Sequence, residues 1–187
     1  MSVSFRTQVP TPMRYAFAAL AATLFTSSAI AADSPPNQRI ELKNSAGAVI
    51  GSASLTQAPN GLLARIDLKG AAPGWHGLHF HEKGDCSKAD FTSAGGHVHG
   101  KPTMVHGLLN PDANEAGDLP NIHVHADGTA QAEVFTTYVS LVETAGREAL
   151  ADKDGSALVI HANPDDHKAQ PIGGAGARIA CGVIPPA

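Results

Sequence analysis

The stretch Trp75-His76-Gly77-Leu78-His79-Phe80-His81-Glu82-Lys83-Gly84-Asp85-Cys86 (WHGLHFHEKGDC) alternates apolar and imidazole side chains, then breaks into turn residues. On a strand, residues two apart share a face. His79 and His81 therefore project side by side, with Phe80 turned the other way into a core. Two imidazoles at that spacing can share one metal ion, although pairs of surface histidines also arise by chance. Outward from this point the chain repeats the same strand-and-turn grammar. RIELKN, AVIGSASLTQ and LLARIDLKG precede it, punctuated by SAG, APNG and AAPG; TAQAEVFTTYV, ALVIHA and ARIACGVI follow. Short alternating strands at a spacing of roughly ten residues predict an all-β sandwich or flattened barrel. Two segments lack periodicity, Lys83 to about Asn121 and Asn163 to Ala177. Long structureless loops in a compact domain are functional or are held by something. LVETAGREALADKDG, residues 141–155, reads equally as a short helix or a loop.

The 187 residues are 43% hydrophobic with 19 Gly and 13 Pro. That suits one domain with a sizeable core and many turns. The net charge of −4 offers no basic surface for nucleic acid. At the N-terminus, Arg14 precedes the apolar run Tyr15 to Phe25, and Ala29-Ile30-Ala31 supplies an A-x-A cleavage site. Residues 1–31 are thus expected to be a secretory signal peptide, with Met13 as an alternative start, leaving 32–187 as the mature domain. The run falls short of the roughly 20 residues that span a bilayer, which argues against an uncleaved membrane anchor. A periplasmic or secreted destination is expected after its cleavage. Cys86 and Cys181 are the two cysteines, and both lie in the exported part. In an oxidising compartment they read as a disulfide; two buried thiols are the alternative.

His97 and His106 lie in the first aperiodic segment, and His161 ends an apolar strand. Taken in order, HGLHFHEKGDC, SAGGHVHG, AGDLPN, VIHANPDD and GGAGARIACGVI make residues 38–184 resemble the copper–zinc superoxide dismutases, in the form secreted by bacteria. The resemblance implies a Greek-key β-sandwich of about eight antiparallel strands with two long functional loops. It implies conversion of superoxide to oxygen and hydrogen peroxide, with one copper and one zinc per chain. His79, His81, His97 and His161 match copper ligands, His97 being the bridge to zinc. His106 and Asp118 match zinc ligands, and Asp165 matches a carboxylate that orients His79 and His106. Arg178 matches the arginine that holds the substrate beside copper, and His97 matches the residue that carries a proton. Lys168 adds positive charge nearby. Cys86 and Cys181 match the family's bridge, and His76 matches a structural position bonded to backbone. Members of the family include monomers and homodimers, so the resemblance allows a homodimer.

One ligand position departs from the family. A third zinc histidine is expected three residues before Asp118, where NEAGD places Glu115. A carboxylate is a competent zinc ligand, so the expected set is His97, His106, Glu115 and Asp118. The alternatives are a solvent-facing Glu115 with weakly held zinc, or substitution by His99, His123 or His125. These three and His167 are otherwise surplus; His123 and His125 read as an exposed strand face or a peripheral metal site. Two further functional classes compete with a dismutase. A copper- or zinc-binding module without turnover would need neither Arg178 nor an open copper position. A dismutase-like domain that had lost its site would lack copper ligands.

Overall fold

Alternating burial builds the sheet. In β3 (Gly61–Lys69) Leu62, Ala64, Ile66 and Leu68 turn inward while Arg65 and Asp67 face solvent. This computed structural model describes residues 1–4 and 36–187; the expected signal peptide lies outside them apart from its first four residues. Residues Ser34–Ala187 form one compact unit that holds all the strands. β1 (Asn37–Asn44), β2 (Val49–Ala58) and β3 run as an antiparallel meander, and β7 (Thr129–Thr136) pairs with β3. On the other side β1 pairs with β11 (Arg178–Ile184), β11 with β10 (Ser156–His161), and β10 with β5 (Leu78–His81). The resulting order is β5-β10-β11-β1-β2-β3-β7, so the first and last strands meet at the middle of the sheet. Leu42, Leu55, Leu62, Phe80, Ile160 and Ile184 share one core with Ile122 and Val139, and the sheet curls around it.

β5 is an edge strand, yet every residue in it is buried. The first long loop covers the edge. Phe80 N–H donates to Gly117 O at 2.9 Å, Val98 N–H to Phe80 O at 2.9 Å, and Glu82 N–H to Gly96 O at 3.0 Å. An edge paired in this way offers no template for a second chain.

Among the described residues eleven strands are found, the expected all-β sandwich with short added pieces such as β4 of three residues. WHGLHFHE reads as one strand but is two, β4 (Gly74–His76) and β5. Gly77 leaves the ladder between them, donating its N–H to Asn163 O at 2.8 Å and accepting from His161 N–H at 2.9 Å. β4 pairs with β6 (Ile122–Val124) in a small separate sheet. Residues 141–155 form turns and the two-residue strand β9 (Glu148–Ala149), which pairs with β8 (Val139–Ser140). Among the described residues the only helix is a 3-10 turn at Thr92–Ala94.

Cys86 and Cys181 form a disulfide across 95 residues of sequence, and no cysteine is free. The bridge joins the first loop to β11. Around it Phe91, Ala94, Ala157 and Val159 make a second, smaller apolar cluster beneath the loop. Closing a loop of this length removes denatured-state entropy worth about 4–5 kcal/mol in the chain-entropy model. The double variant Cys86→Ser/Cys181→Ser is expected to lose about 2–5 kcal/mol of unfolding free energy in urea denaturation at pH 7. A loss below about 1 kcal/mol would show that the bridge does little to hold the first loop.

Candidate metal centre

The first loop returns along β5 so that His79 faces Asp118 and His81 faces His97 across isolated backbone bridges. β10 brings His161 to the same place through its pairing with β5. Three groups of potential ligand atoms result, each with its atoms within 4.8 Å of one another. They are His79, His81, His97 and His161; His97, His106, Glu115 and Asp118; and His79, His106 and Asp165. His97 belongs to both of the first two.

Hydrogen bonds set which nitrogen of each ring faces inward. His81 Nδ1 donates to Gly95 O and His161 Nδ1 to Gly176 O, both at 3.0 Å. Carbonyls only accept, so both Nε2 atoms keep lone pairs, and they lie 3.4 Å apart. His79 Nε2 donates to Asp165 Oδ2 at 2.8 Å, which turns Nδ1 toward the same space. His97 Nδ1 points at Glu115 Oε2 (2.8 Å) and Asp118 Oδ1 (3.0 Å), which leaves Nε2 there too. His79 Nδ1 and His97 Nε2 are buried and have no protein partner. A buried polar atom left unpaired costs about 1–3 kcal/mol. Two of them converging with two further imidazole lone pairs fit a copper ion, for which imidazole is a suitable donor.

The neighbouring group mixes nitrogen and oxygen. His106 Nδ1 lies 3.1 Å from Glu115 Oε2 and 3.0 Å from Asp118 Oδ1, and Gly107 N–H donates to Asp118 Oδ2 at 2.8 Å. Two imidazoles and two carboxylates suit zinc. The Glu115 side chain is only 5% exposed, which rules out the solvent-facing alternative. His99 is not in this group; its Nδ1 donates to His97 O at 2.8 Å. His123 and His125 are exposed on and just after β6.

Asp165 lies behind both groups. Oδ2 takes His79, and Oδ1 takes His106 Nε2 at 3.1 Å and the His167 N–H at 2.6 Å. Asn121 holds its backbone on both sides, accepting from Asp165 N–H at 2.9 Å and donating to Asp165 O at 2.8 Å. Gly173 has φ 59°, and a Cβ there would stand 1.7 Å from Asp165 Oδ1. Only glycine fits this position on both counts.

Electrostatics separate the two groups. Burial, with help from His97 and Arg178, pushes His81 down to about 2. Burial and His79 push His161 down to about 3. Both rings stay neutral and able to donate lone pairs. For His106 burial opposes the charge, but Asp118, Asp165 and Glu115 outweigh it and raise the ring to about 11. Burial likewise opposes ionisation of Asp118 and Asp165, yet hydrogen bonds from His106, with His97 and His79 respectively, hold both well below the usual carboxylate range.

Arg178 opens β11 opposite His161. Its Nη1 donates to Phe91 O at 2.5 Å and its Nη2 to Gly95 O at 2.6 Å, the same carbonyl that orients His81. Lys168 is exposed on the second loop. His76 is buried with its ring between Ala72 O (2.8 Å) and His161 O (2.7 Å), the backbone-bonded role its position implied. The sequence reading assigned nothing to Asn121, although it ends the AGDLPN motif, or to the carbonyl of Gly95.

A curled antiparallel sheet whose two long loops meet over adjacent histidine and histidine–carboxylate groups defines an all-β sandwich with a candidate centre for two metals. A model of the copper/zinc superoxide dismutase family matches residues 49–184, and the chain belongs to that family. It is 64% identical over 134 residues to a Cu-Zn superoxide dismutase of Caulobacter vibrioides, covering 72% of this chain and 77% of the relative. It is 37% identical over 147 residues to a superoxide dismutase-like protein of Bacillus subtilis, covering 78% and 74%. Among solved structures, a SOD-like protein from Bacillus subtilis superposes with a TM-score of 0.72 at 35% identity, covering 78% of this chain and 97% of that one. The Cu/Zn superoxide dismutase from Brucella abortus gives 0.64 at 29% identity, covering 80% and 99%.

A carboxylate ionised more readily in the folded than in the unfolded chain stabilises the fold above its unfolded value, and that stability is lost as pH falls. Asp165 is such a group. The urea midpoint of the metal-free protein is expected to fall between about pH 5 and pH 2, and Asp165→Asn to flatten that fall. Equal slopes for the two proteins would remove Asp165 as a source of acid sensitivity.

Proposed function

We propose that this chain is an exported copper–zinc superoxide dismutase, with residues 1–31 removed and 32–187 forming the mature enzyme. One observation carries the reading: four buried imidazoles, each oriented by a hydrogen bond at one nitrogen, converge with two inward nitrogens unpaired. His79, His81, His97 and His161 would hold copper through their inward nitrogens, and His97, His106, Glu115 and Asp118 would hold zinc. Bound copper supplies the one-electron exchange by which one superoxide becomes oxygen and a second, with two protons, becomes hydrogen peroxide.

The chain's own residues do the rest. Arg178 attracts superoxide against a net negative protein and orients it. Two of its nitrogens are anchored on Phe91 O and Gly95 O, so the fork is fixed while other N–H groups stay free for a small anion. His97 would take and return a proton at Nε2, its ring fixed by the Nδ1 side, which faces Glu115 and Asp118. Asp165 keeps His79 and His106 in the required tautomers. Export to the periplasm or beyond agrees with the disulfide and with the apolar run before Ala29-Ile30-Ala31. Among the described residues no helix is long and apolar enough to cross a membrane.

Superoxide consumption by purified protein loaded with both metals tests this reading. No consumption at full copper occupancy would overturn it. Arg178→Ala is expected to retain copper but lose about tenfold or more in rate at low salt, the gap to wild type narrowing as salt screens the charge. Unchanged turnover would remove Arg178 from substrate capture. Glu115→Ala is expected to weaken zinc by more than about tenfold in chelator competition, with Glu115→His restoring tight binding. Wild-type affinity in Glu115→Ala across pH 5 to 8 would exclude Glu115 as a ligand.

A further inference from the structure

Of the ten histidines in the chain, His123 and His125 alone have no ring hydrogen bond among the described residues. They flank Val124, which is buried in the core, so both imidazoles stand on the solvent side of β6. Their ring centroids lie 5.5 Å apart, matching the 5.6 Å between His81 and His161 in the buried copper-type group. Backbone bonds fix the spacing. His123 pairs with Trp75 across β4, and His125 closes the turn into β7 by donating to Thr129 O at 2.8 Å and accepting from Gly128 N–H at 2.9 Å. Asp127, in that turn, adds a negative charge whose Oδ1 is held by Thr129. The Trp75 ring stands edge-on to His123 at a centroid distance of 4.9 Å.

We propose that His123 and His125 form a second, surface metal site that takes Cu(II), through one nitrogen of each ring with water at the remaining positions. Imidazole suits copper, nickel and zinc, and affinity for a given set of donors peaks at Cu(II). Strand spacing brings the two rings together without ordering a loop, so little conformational entropy opposes binding. Two protein ligands and open positions make the site exchangeable, unlike the enclosed groups beneath the loops. It is independent of the catalytic reading, because neither residue contributes to the buried clusters.

Trp75 is the only tryptophan in the chain and reports on the site directly. The experiment titrates copper sulfate into holoenzyme whose buried sites are already filled, following tryptophan fluorescence and the Cu(II) electron paramagnetic resonance signal. The expected result is saturable quenching that ends at one added equivalent, with a new signal split by two nitrogens. His123→Ala and His125→Ala should each abolish the saturable phase, leaving superoxide consumption and buried metal content as in wild type. Quenching that rises without saturation in wild type, or a one-equivalent phase that survives in both variants, would overturn the proposal. Should His123→Ala alter the Trp75 spectrum by itself, His125→Gln, which does not touch the indole, decides through the resonance signal.

Discussion

The Asp165 carboxylate takes His79 Nε2 on one oxygen and His106 Nε2 on the other. Each ring has two nitrogens, and fixing one fixes the other. Through His79 the carboxylate turns a lone pair into the four-imidazole group; through His106 it presents Nδ1 to Glu115 and Asp118. One side chain therefore sets the geometry of two sites. Its own position depends on both long loops at once. Asn121, at the end of the first loop, clamps the backbone of Asp165 in the second, and Gly173 gives it room. The two loops are thus tied to each other at Asp165.

A second tie runs through β11. Cys181 binds the first loop covalently at Cys86, and Arg178, three residues earlier, binds it again at Phe91 O and Gly95 O. Hydrogen bonds from a charged donor are worth about 1.5–3 kcal/mol each, so the arginine pair rivals the bridge in strength. The two ties differ in what they position. The disulfide fixes where the loop starts. The arginine fixes Gly95 O, which orients His81. The residue proposed to receive superoxide is thus built into the support of a proposed copper ligand, and its guanidinium cannot swing without disturbing that ring.

Period-two alternation made β1, β2, β3 and β7 legible, because each packs one face on the main core, whereas β10 was legible as a short apolar run buried on both faces. The break at Gly77 was not legible, since it is dictated by Asn163 and His161 from distant sequence. Residues 141–155 contain good helix formers, but Leu150 and Ala151 reach the core through turns, so packing overrides propensity there. In the site, the strand spacing of His79 and His81 was readable from first principles. His97 and His106 stood out as histidines in an aperiodic segment but drew their roles from the family resemblance, and Asp118, Asp165 and Arg178 were singled out by that resemblance alone. Gly95 acts through a backbone carbonyl, which leaves no mark in the identity of the residue.

Glu115 shows how the exceptional position fits the physics of the centre. A carboxylate where the resemblance leads one to expect a histidine puts two acids, Glu115 and Asp118, in one buried group, with Asp165 behind. Buried charge without a partner is costly. In the metal-free chain the partners are the imidazoles themselves: His106 is raised to about 11, and His97 is raised as well once hydrogen bonds from Asp118 and Glu115 outweigh burial. Protonated histidine occupies the electrostatic role of a cation. The buried acids Glu115 and Asp118 are therefore balanced by imidazolium in the metal-free fold.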